Sequence, residues 1–362
     1  MPMPMPMEIQ ENVELAPYTT MGLGGQARFF ARGADLDSLR RALEWATERR
    51  LPVLVLGGGS NLVLPDEGYD GLVLQVALRG VSFVPRQGHM EVRAAAGETW
   101  DDLVCRCLDA GLAGIECLSG IPGLVGATPI QNVGAYGQEI AQTLVSIEAL
   151  DRGTLETQRF TAAECGLAYR YSRFKGPDRD RYIVTAVHLA LHPEGIPRIR
   201  YPELLRAVGA PPVVGGADAL HQIRRAVLEL RRGKSMLVDP EDPDSRSAGS
   251  FFVNPVLKTE AFAALEASWA ADGDGTPVPS FPAPDGVKVP AAWLVERAGF
   301  ARGYARDGAA VSSKHALALV NRGATAAAVR RLAADIAAAV HTRFGVALVP
   351  EPVIVEPPDT QA

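Results

Sequence analysis

Apolar residues recur at helical spacing between Leu36 and Arg50, at Leu36, Leu39, Ala42, Leu43 and Ala46, and predict an amphipathic helix. The apolar run Pro52-Val53-Leu54-Val55-Leu56 follows and reads as a buried strand. That strand enters Gly57-Gly58-Gly59-Ser60-Asn61, a loop set between it and further strands over Leu62–Pro65 and Gly71–Gln75. A second helix is predicted over Thr99–Gly111, with Glu98 or Thr99 at its start. Leu144–Leu150 and Tyr182–Leu191 read as strands. Leu220–Arg232 is amphipathic and predicts a helix with Gly233 as its C-terminal cap.

The proline- and acid-rich stretch Val238–Arg246 marks a domain boundary. Beyond it the pattern starts afresh. Ser250–Val256 leads to an Ala-rich helix over Ala261–Ala271, a Pro/Gly-rich loop reaching Pro284 and a helix over Pro290–Ala298. A long amphipathic helix over Ala324–Phe344 and a strand over Val346–Val355, broken by Pro350 and Pro352, complete the unit. No internal repeat of useful length is present.

Composition narrows the class. At 362 residues the chain exceeds one ordinary core, so two or three domains are expected. Apolar residues at 47% and charged residues at 22% are those of a folded globular protein. A net charge of −6 offers no global positive field for nucleic acid or an anionic membrane, so an anionic ligand must be held by local cations. Cys105, Cys107, Cys117 and Cys165 lack the density of a disulfide scaffold and read as reduced packing residues. Cys105 and Cys107 diverge on a helix, and no Cys/His pair completes a tetrahedral metal set. The Met-Pro repeat at the start has neither a basic n-region nor an apolar h-region and reads as an extended tail. No run approaches the roughly 18 apolar residues of a spanning helix. The cytoplasm is the expected compartment.

Two segments are rich in glycine. Gly57–Asn61 offers unshielded backbone N–H groups of the kind a pyrophosphate requires, but it has neither the dinucleotide-fold spacing nor a Walker A sequence. A tight turn between strands accounts for it equally well. Leu118–Gly137 holds five glycines between Gly120 and Gly137 in an otherwise apolar stretch, too irregular for a regular element. Such backbone suits wrapping around a bulky planar ligand, with Gln131 and Asn132 able to hydrogen-bond it.

These segments, with Tyr169-Arg170-Tyr171-Ser172-Arg173-Phe174-Lys175, Ala248–Pro255 and Pro350-Glu351-Pro352, resemble the UDP-N-acetylenolpyruvoylglucosamine reductase family. The likeness runs in the family's order from about Tyr18 to Val355. It implies an α+β fold: a two-part FAD-binding region of the vanillyl-alcohol-oxidase/PCMH type and a C-terminal α+β substrate-binding domain. The expected divisions are residues 1–78, with 353–362 possible as a returning strand, then 79–233, then 234–352. FAD contacts are expected from Gly57, Gly58, Gly59, Ser60, Asn61, Ser119, Gly120, Ile121, Pro122, Gly123, Gly126, Ala127, Gln131, Asn132, Gly134, Ala135 and Tyr136. The resemblance also implies NADPH as hydride donor and UDP-N-acetylglucosamine enolpyruvate as substrate, in peptidoglycan precursor synthesis by a monomer.

By the same resemblance Ser250 matches the proton donor, and Arg170 and Glu351 match the other two active-site positions. Tyr201, Lys234 and Asn254 match substrate-contacting positions, and Arg200-Tyr201-Pro202-Glu203-Leu204 resembles the tyrosine loop of type I members. Val238–Asp244 is longer than in the shortest of these. The chemistry asks for such residues. Hydride addition to an enolpyruvyl ether builds charge beside a carboxylate, which a fixed guanidinium such as Arg170 can stabilise. Ser250 would protonate that carbon and, as a weak acid, needs a relay or a cationic neighbour. An ionised Glu351 would repel the substrate carboxylate, so a protonated one is expected. His315 either approaches the substrate or serves the structure. Two other readings stand beside this one: a flavin oxidase or dehydrogenase of the same fold with another substrate, and a non-catalytic flavin- or nucleotide-binding protein.

Overall fold

The computed structural model describes residues 8–357 apart from Arg198 and Pro211, so the Met-Pro tail and residues 358–362 lie outside the described residues. Seven α-helices occur among them: α1 (Leu36–Glu48), α2 (Trp100–Asp109), α3 (Pro202–Val208), α4 (Ala217–Arg232), α5 (Thr259–Asp272), α6 (Ala291–Arg297) and α7 (Ala326–Phe344). The start of α1 follows from Asp35, which accepts from the Ser38 N–H while the Ser38 hydroxyl accepts from the Asp35 N–H. Its buried face holds Leu39, Ala42, Leu43 and Ala46, as the periodicity predicts, with the capping Ser38 buried in addition and Leu36 only half-buried.

The first layer is a four-stranded sheet in the order Ile9–Glu14, Gln26–Gly33, Tyr69–Val76, Val53–Leu56, antiparallel only at its first pair. The second is an antiparallel sheet in which Tyr182–Pro193 lies between Leu144–Asp151 and His89–Ala95. Helix α1 packs on Gln26–Gly33 and Tyr69–Val76 of the first sheet, and one apolar cluster joins Leu39, Leu43 and Leu72 to Trp100, Leu103, Ile147 and Val187. A separate cluster surrounds Phe251, Phe252, Leu294, Leu319 and Ile336 in the C-terminal part. Met21, Leu23 and Val63 belong to that second cluster, and Asp66 caps α7 through the N–H groups of Ala326 and Ala327. The C-terminal part is thereby fastened to the N-terminal one.

As the sequence reading expects, Gly233 is the C-cap of α4, in a right-handed conformation (φ −59), whereas Gly345 closes α7 in the left-handed one. Other elements differ from that reading. Val346–Val355 is a strand only at Val353–Ile354, because Pro350 and Pro352 cannot donate to a ladder. The strands Ile9–Glu14, Gln26–Gly33, Val81–Arg86 and His89–Ala95 had no apolar run to mark them. Their burial is one-sided: Ile9–Glu14 and Val81–Arg86 have no fully buried residue.

The outer face of the antiparallel sheet is held by a charged cluster. Both ring nitrogens of His188 lie 2.9 Å from carboxylate oxygens, of Glu91 and of Glu148, and Arg93 grips Glu148 through two bonds of 2.9 and 2.8 Å. The Arg93 bond, ahead of the His188 bond and against the cost of burial, pulls the Glu148 carboxyl from 4.5 down to about 2. A carboxyl depressed on folding contributes stability that is complete above its unfolded value and is lost as pH falls through the folded one. Glu148→Gln should therefore lower the urea midpoint near neutral pH, and the gap to the parent should close as pH falls from 4.5 toward about 2. A gap that stays constant over that window would show that the ion pair is energetically silent.

Candidate active site

The loop Gly57–Asn61 leaves one strand and enters the next, Leu62–Val63, and its shape admits no side chains at two points. Gly59 has φ +61, and a β-carbon there would collide with the Tyr18 carbonyl oxygen. A β-carbon on Gly58 would lie 2.8 Å from the Gly123 α-carbon, so the two glycine-rich loops meet backbone to backbone. Among the described residues, the N–H groups of Gly57, Gly58, Gly59, Ser60 and Asn61 donate to no protein acceptor. Consecutive free N–H groups of this kind form an anion-binding nest. Beside it runs a cleft of about 520 Å³, lined by Thr20, Gly58, Gly120, Ile121, Pro122, Gly123, Leu124 and Arg224 among others.

Three residues that the sequence reading did not single out fix the second loop. The Gly120 N–H donates to Asp101 at 2.5 Å, and its carbonyl accepts from the Arg231 guanidinium at 3.2 Å. Arg224 holds Asp101 from α4 through two bonds of 2.6 and 2.7 Å. Burial alone would raise the Asp101 carboxyl, but the Arg224 and Gly120 bonds outweigh it and hold it below the usual carboxylate range. Arg231 is buried against carbonyls, and burial pulls its guanidinium below the usual value. The contacts of Arg224 with Asp101 and of Arg231 with Gly120 span more than a hundred positions in sequence, and no local pattern announces them.

Further along, Gly126 abuts Ala96 and Ala127 ends a short 3₁₀ turn. The Ser119 hydroxyl bonds to the Glu116 carbonyl at 2.7 Å. Gly134–Ala135 pairs with Gln138–Glu139, placing Tyr136 at the hairpin tip with φ 48. Gln131 and Asn132 part company. The Asn132 amide is committed to Glu139, Ala168 and the Ala141 N–H, whereas Gln131 reaches the charged centre.

That centre gathers residues from four segments, around Asn61, Gln131, Arg170 and Glu351. Glu351 Oε1 lies 2.9 Å from Arg170 Nε and accepts from the Gln131 amide at 3.3 Å. The Asn61 amide bonds to Gln131 Oε1 at 3.1 Å and to the Glu351 carbonyl at 3.3 Å, and Lys175 reaches Gln131 at 3.5 Å. Arg170 sits in the left-handed region (φ 53), with its Nε committed to the Glu351 carboxylate and an η-nitrogen donating to the Gly134 carbonyl at 3.1 Å. Burial raises the Glu351 carboxyl and outweighs both Arg170 and Lys175, while burial lowers the Lys175 ammonium.

Ser250 ends the strand Ser247–Ser250, just before a direct pairing with the Glu351 segment. The Glu351 N–H donates to the Phe251 carbonyl at 2.8 Å and the Val253 N–H to the Val349 carbonyl at 3.0 Å. Ser250 and Glu351 therefore lie on neighbouring, hydrogen-bonded backbones. Asn254 is nearby, its side-chain oxygen taken by the Ala291 N–H and its amide 3.5 Å from the Tyr169 hydroxyl.

The remaining candidates form a second cluster. Tyr201 is the N-cap of α3, and its ring meets Tyr136 edge to face at 5.6 Å. Lys234 follows α4, 5.8 Å above the Tyr136 ring and 2.6 Å from Glu203. Burial, then the Lys234 charge, pushes His315 down to about 4, so its ring is neutral near pH 7. Cys107 and Cys117 are buried thiols pushed upward, which suits packing and not nucleophilic chemistry.

Comparison with known proteins accounts for this arrangement. Residues 240–355 match the family described as UDP-N-acetylenolpyruvoylglucosamine reductase, C-terminal domain, and residues 27–158 match the FAD binding domain family. The chain is 49% identical over 356 residues to the UDP-N-acetylenolpyruvoylglucosamine reductase of Thermobifida fusca, covering 97% of this chain and 99% of that one. It is 46% identical over 356 residues to the one from Streptomyces coelicolor, covering 97% and 91%. The crystal structure of UDP-N-acetylenolpyruvylglucosamine reductase from Thermus caldophilus superposes with a TM-score of 0.65 at 25% identity, covering 97% of this chain and 100% of the other. With the glycine loops inside the FAD-binding match and Ser250 and Glu351 inside the other, the chain belongs to the UDP-N-acetylenolpyruvoylglucosamine reductase family.

Proposed function

We propose that this chain reduces UDP-N-acetylglucosamine enolpyruvate to UDP-N-acetylmuramate with NADPH, as an FAD-dependent oxidoreductase of peptidoglycan precursor synthesis. The observation that carries the reading is the convergence of Arg170, Glu351 and the Ser250 strand beside Gln131 and Asn61 of the two glycine loops. FAD bound between those loops supplies the hydride relay from NADPH to the enolpyruvyl carbon. The free N–H groups of Gly57–Asn61 bind its pyrophosphate, and Asp101, Arg224 and Arg231 keep Gly120 in place for it.

The chain's own residues then divide the remaining work. Arg170, fixed by Glu351 and the Gly134 carbonyl, turns its guanidinium charge toward the substrate carboxylate and so stabilises charge that develops on the neighbouring carbon. Burial raises the Glu351 carboxyl and so favours the protonated form that can donate a hydrogen bond where an ionised one would repel. Ser250 delivers the proton to that carbon, and Lys234, Tyr201 and Asn254 hold the nucleotide sugar. A flavin oxidase with another substrate would have no use for this set together. The four cysteines are free thiols, and no described helix is long and apolar enough to cross a membrane. With a net charge of −6, we assign the chain to the cytoplasm as a monomer without nucleic-acid or membrane partners.

Replacing Gly58 by Val puts a branched side chain where even a β-carbon lies 2.8 Å from Gly123, so the variant should fold yet purify without flavin. Absorbance of the purified protein decides it, with far-ultraviolet circular dichroism as the folding check; full FAD content would assign the loops elsewhere. Ser250→Ala should leave flavin reduction by NADPH near the parent rate and slow reoxidation by the enolpyruvyl nucleotide roughly 10²-fold to 10⁴-fold, as expected for loss of a general acid. Stopped-flow traces of the two half-reactions separate these effects, and unimpaired reoxidation would remove Ser250 from its role. Ser250→Cys should recover part of the rate, since a thiol is the stronger acid.

A further inference from the structure

Lys234 already holds an anion. Its Nζ lies 2.6 Å from Glu203 Oε2, with the two side chains 33% and 30% exposed. Glu203 sits in the first turn of α3, two residues after Tyr201, and Lys234 lies just beyond the end of α4. The two helices share an apolar contact through Leu204, Ile223 and Val227, so the ion pair forms the polar rim of a packed joint.

Around the pair, the charges felt by Tyr136 and His315 are those of Glu203 and of the cations Lys234, Arg231 and Arg302. Tyr201 and Tyr136 meet ring to ring at 5.6 Å, and Tyr136 is pushed up to about 12 by burial. His315 is neutral, held down first by burial and then by Lys234 itself. A diphosphate that takes Lys234 must therefore settle against one carboxylate, and two like-charged groups on a single ammonium repel. We infer that Glu203 is a specificity-determining internal competitor, occupying Lys234 until a nucleoside diphosphate displaces it. Net affinity is then the difference between two attractions to one cation. A ligand without phosphate gains nothing from Lys234 and displaces nothing, so the competitor penalises only those ligands that use the cation.

This inference rests on the reading of Lys234 as a diphosphate ligand, and calorimetry on the FAD-loaded protein separates the two. UDP and uridine are titrated into the parent, Glu203→Gln, Lys234→Ala and the double variant. Glu203→Gln should bind UDP about two- to five-fold more tightly, the fold-change expected on removing a part-exposed ion pair, and bind uridine as the parent does. In the Lys234→Ala background the same substitution should change UDP affinity little, which closes a double-mutant cycle. Lys234→Ala with unaltered UDP binding would overturn the nucleotide reading and the competitor together. Weaker UDP binding in Lys234→Ala, without tightening in Glu203→Gln, would overturn the competitor alone. Glu203→Asp, which keeps the charge on a shorter stem, should stay near the parent; if it too binds more tightly, helix packing and not charge is responsible.

Discussion

The segment from Val349 to Val355 is bound on both sides, and the candidate site exists because of it. Toward the C-terminal part, the Val349 carbonyl and the Glu351 N–H pair with Val253 and Phe251; toward the N-terminal part, the N–H groups of Val353 and Val355 pair with Asn61 and Val63. A short stretch with two prolines thus bridges the strand that ends in Ser250 and the glycine loop that begins the nest. Since Pro350 and Pro352 have no N–H, the residues between and after them alternate their partners without competition. Glu351 falls at the crossing point, which is why its carboxyl is buried and raised there.

Three cations of the site in this acidic protein each meet a carboxylate. Arg170 faces Glu351, Lys234 faces Glu203, and Arg224 faces Asp101. The geometries are unequal. Arg224 and Asp101 form a closed two-bond fork that braces backbone, whereas Arg170 meets Glu351 through Nε alone and the Lys234 pair is partly exposed. Closed pairs stiffen the site, and open ones leave attraction to spare for a ligand.

Local pattern made some of this legible and had no access to the rest. The face of α1 was readable because each buried residue recurs with the helical period. Glycine density and the Gly-Ser-Phe-Phe and Pro-Glu-Pro stretches pointed to the segments that meet, and the family resemblance supplied candidate roles. One-sided strands such as Ile9–Glu14 gave no apolar run, and their pairing depends on neighbours far along the chain. Asp101, Arg231 and Glu203 were invisible for a related reason: a charged residue on a helix has the same local signature whether it faces water or clamps a loop. Asn132 shows the opposite limit, a polar residue in a binding-like stretch whose amide is wholly engaged by the protein.

The bridging segment has a consequence for the order in which the chain becomes competent. Emerging from the ribosome, the glycine loops, Arg170, Lys234 and Ser250 all precede Glu351. The pairings of Val349–Val355 with Phe251, Val253, Asn61 and Val63 can therefore form only after every other member of the site has been synthesised.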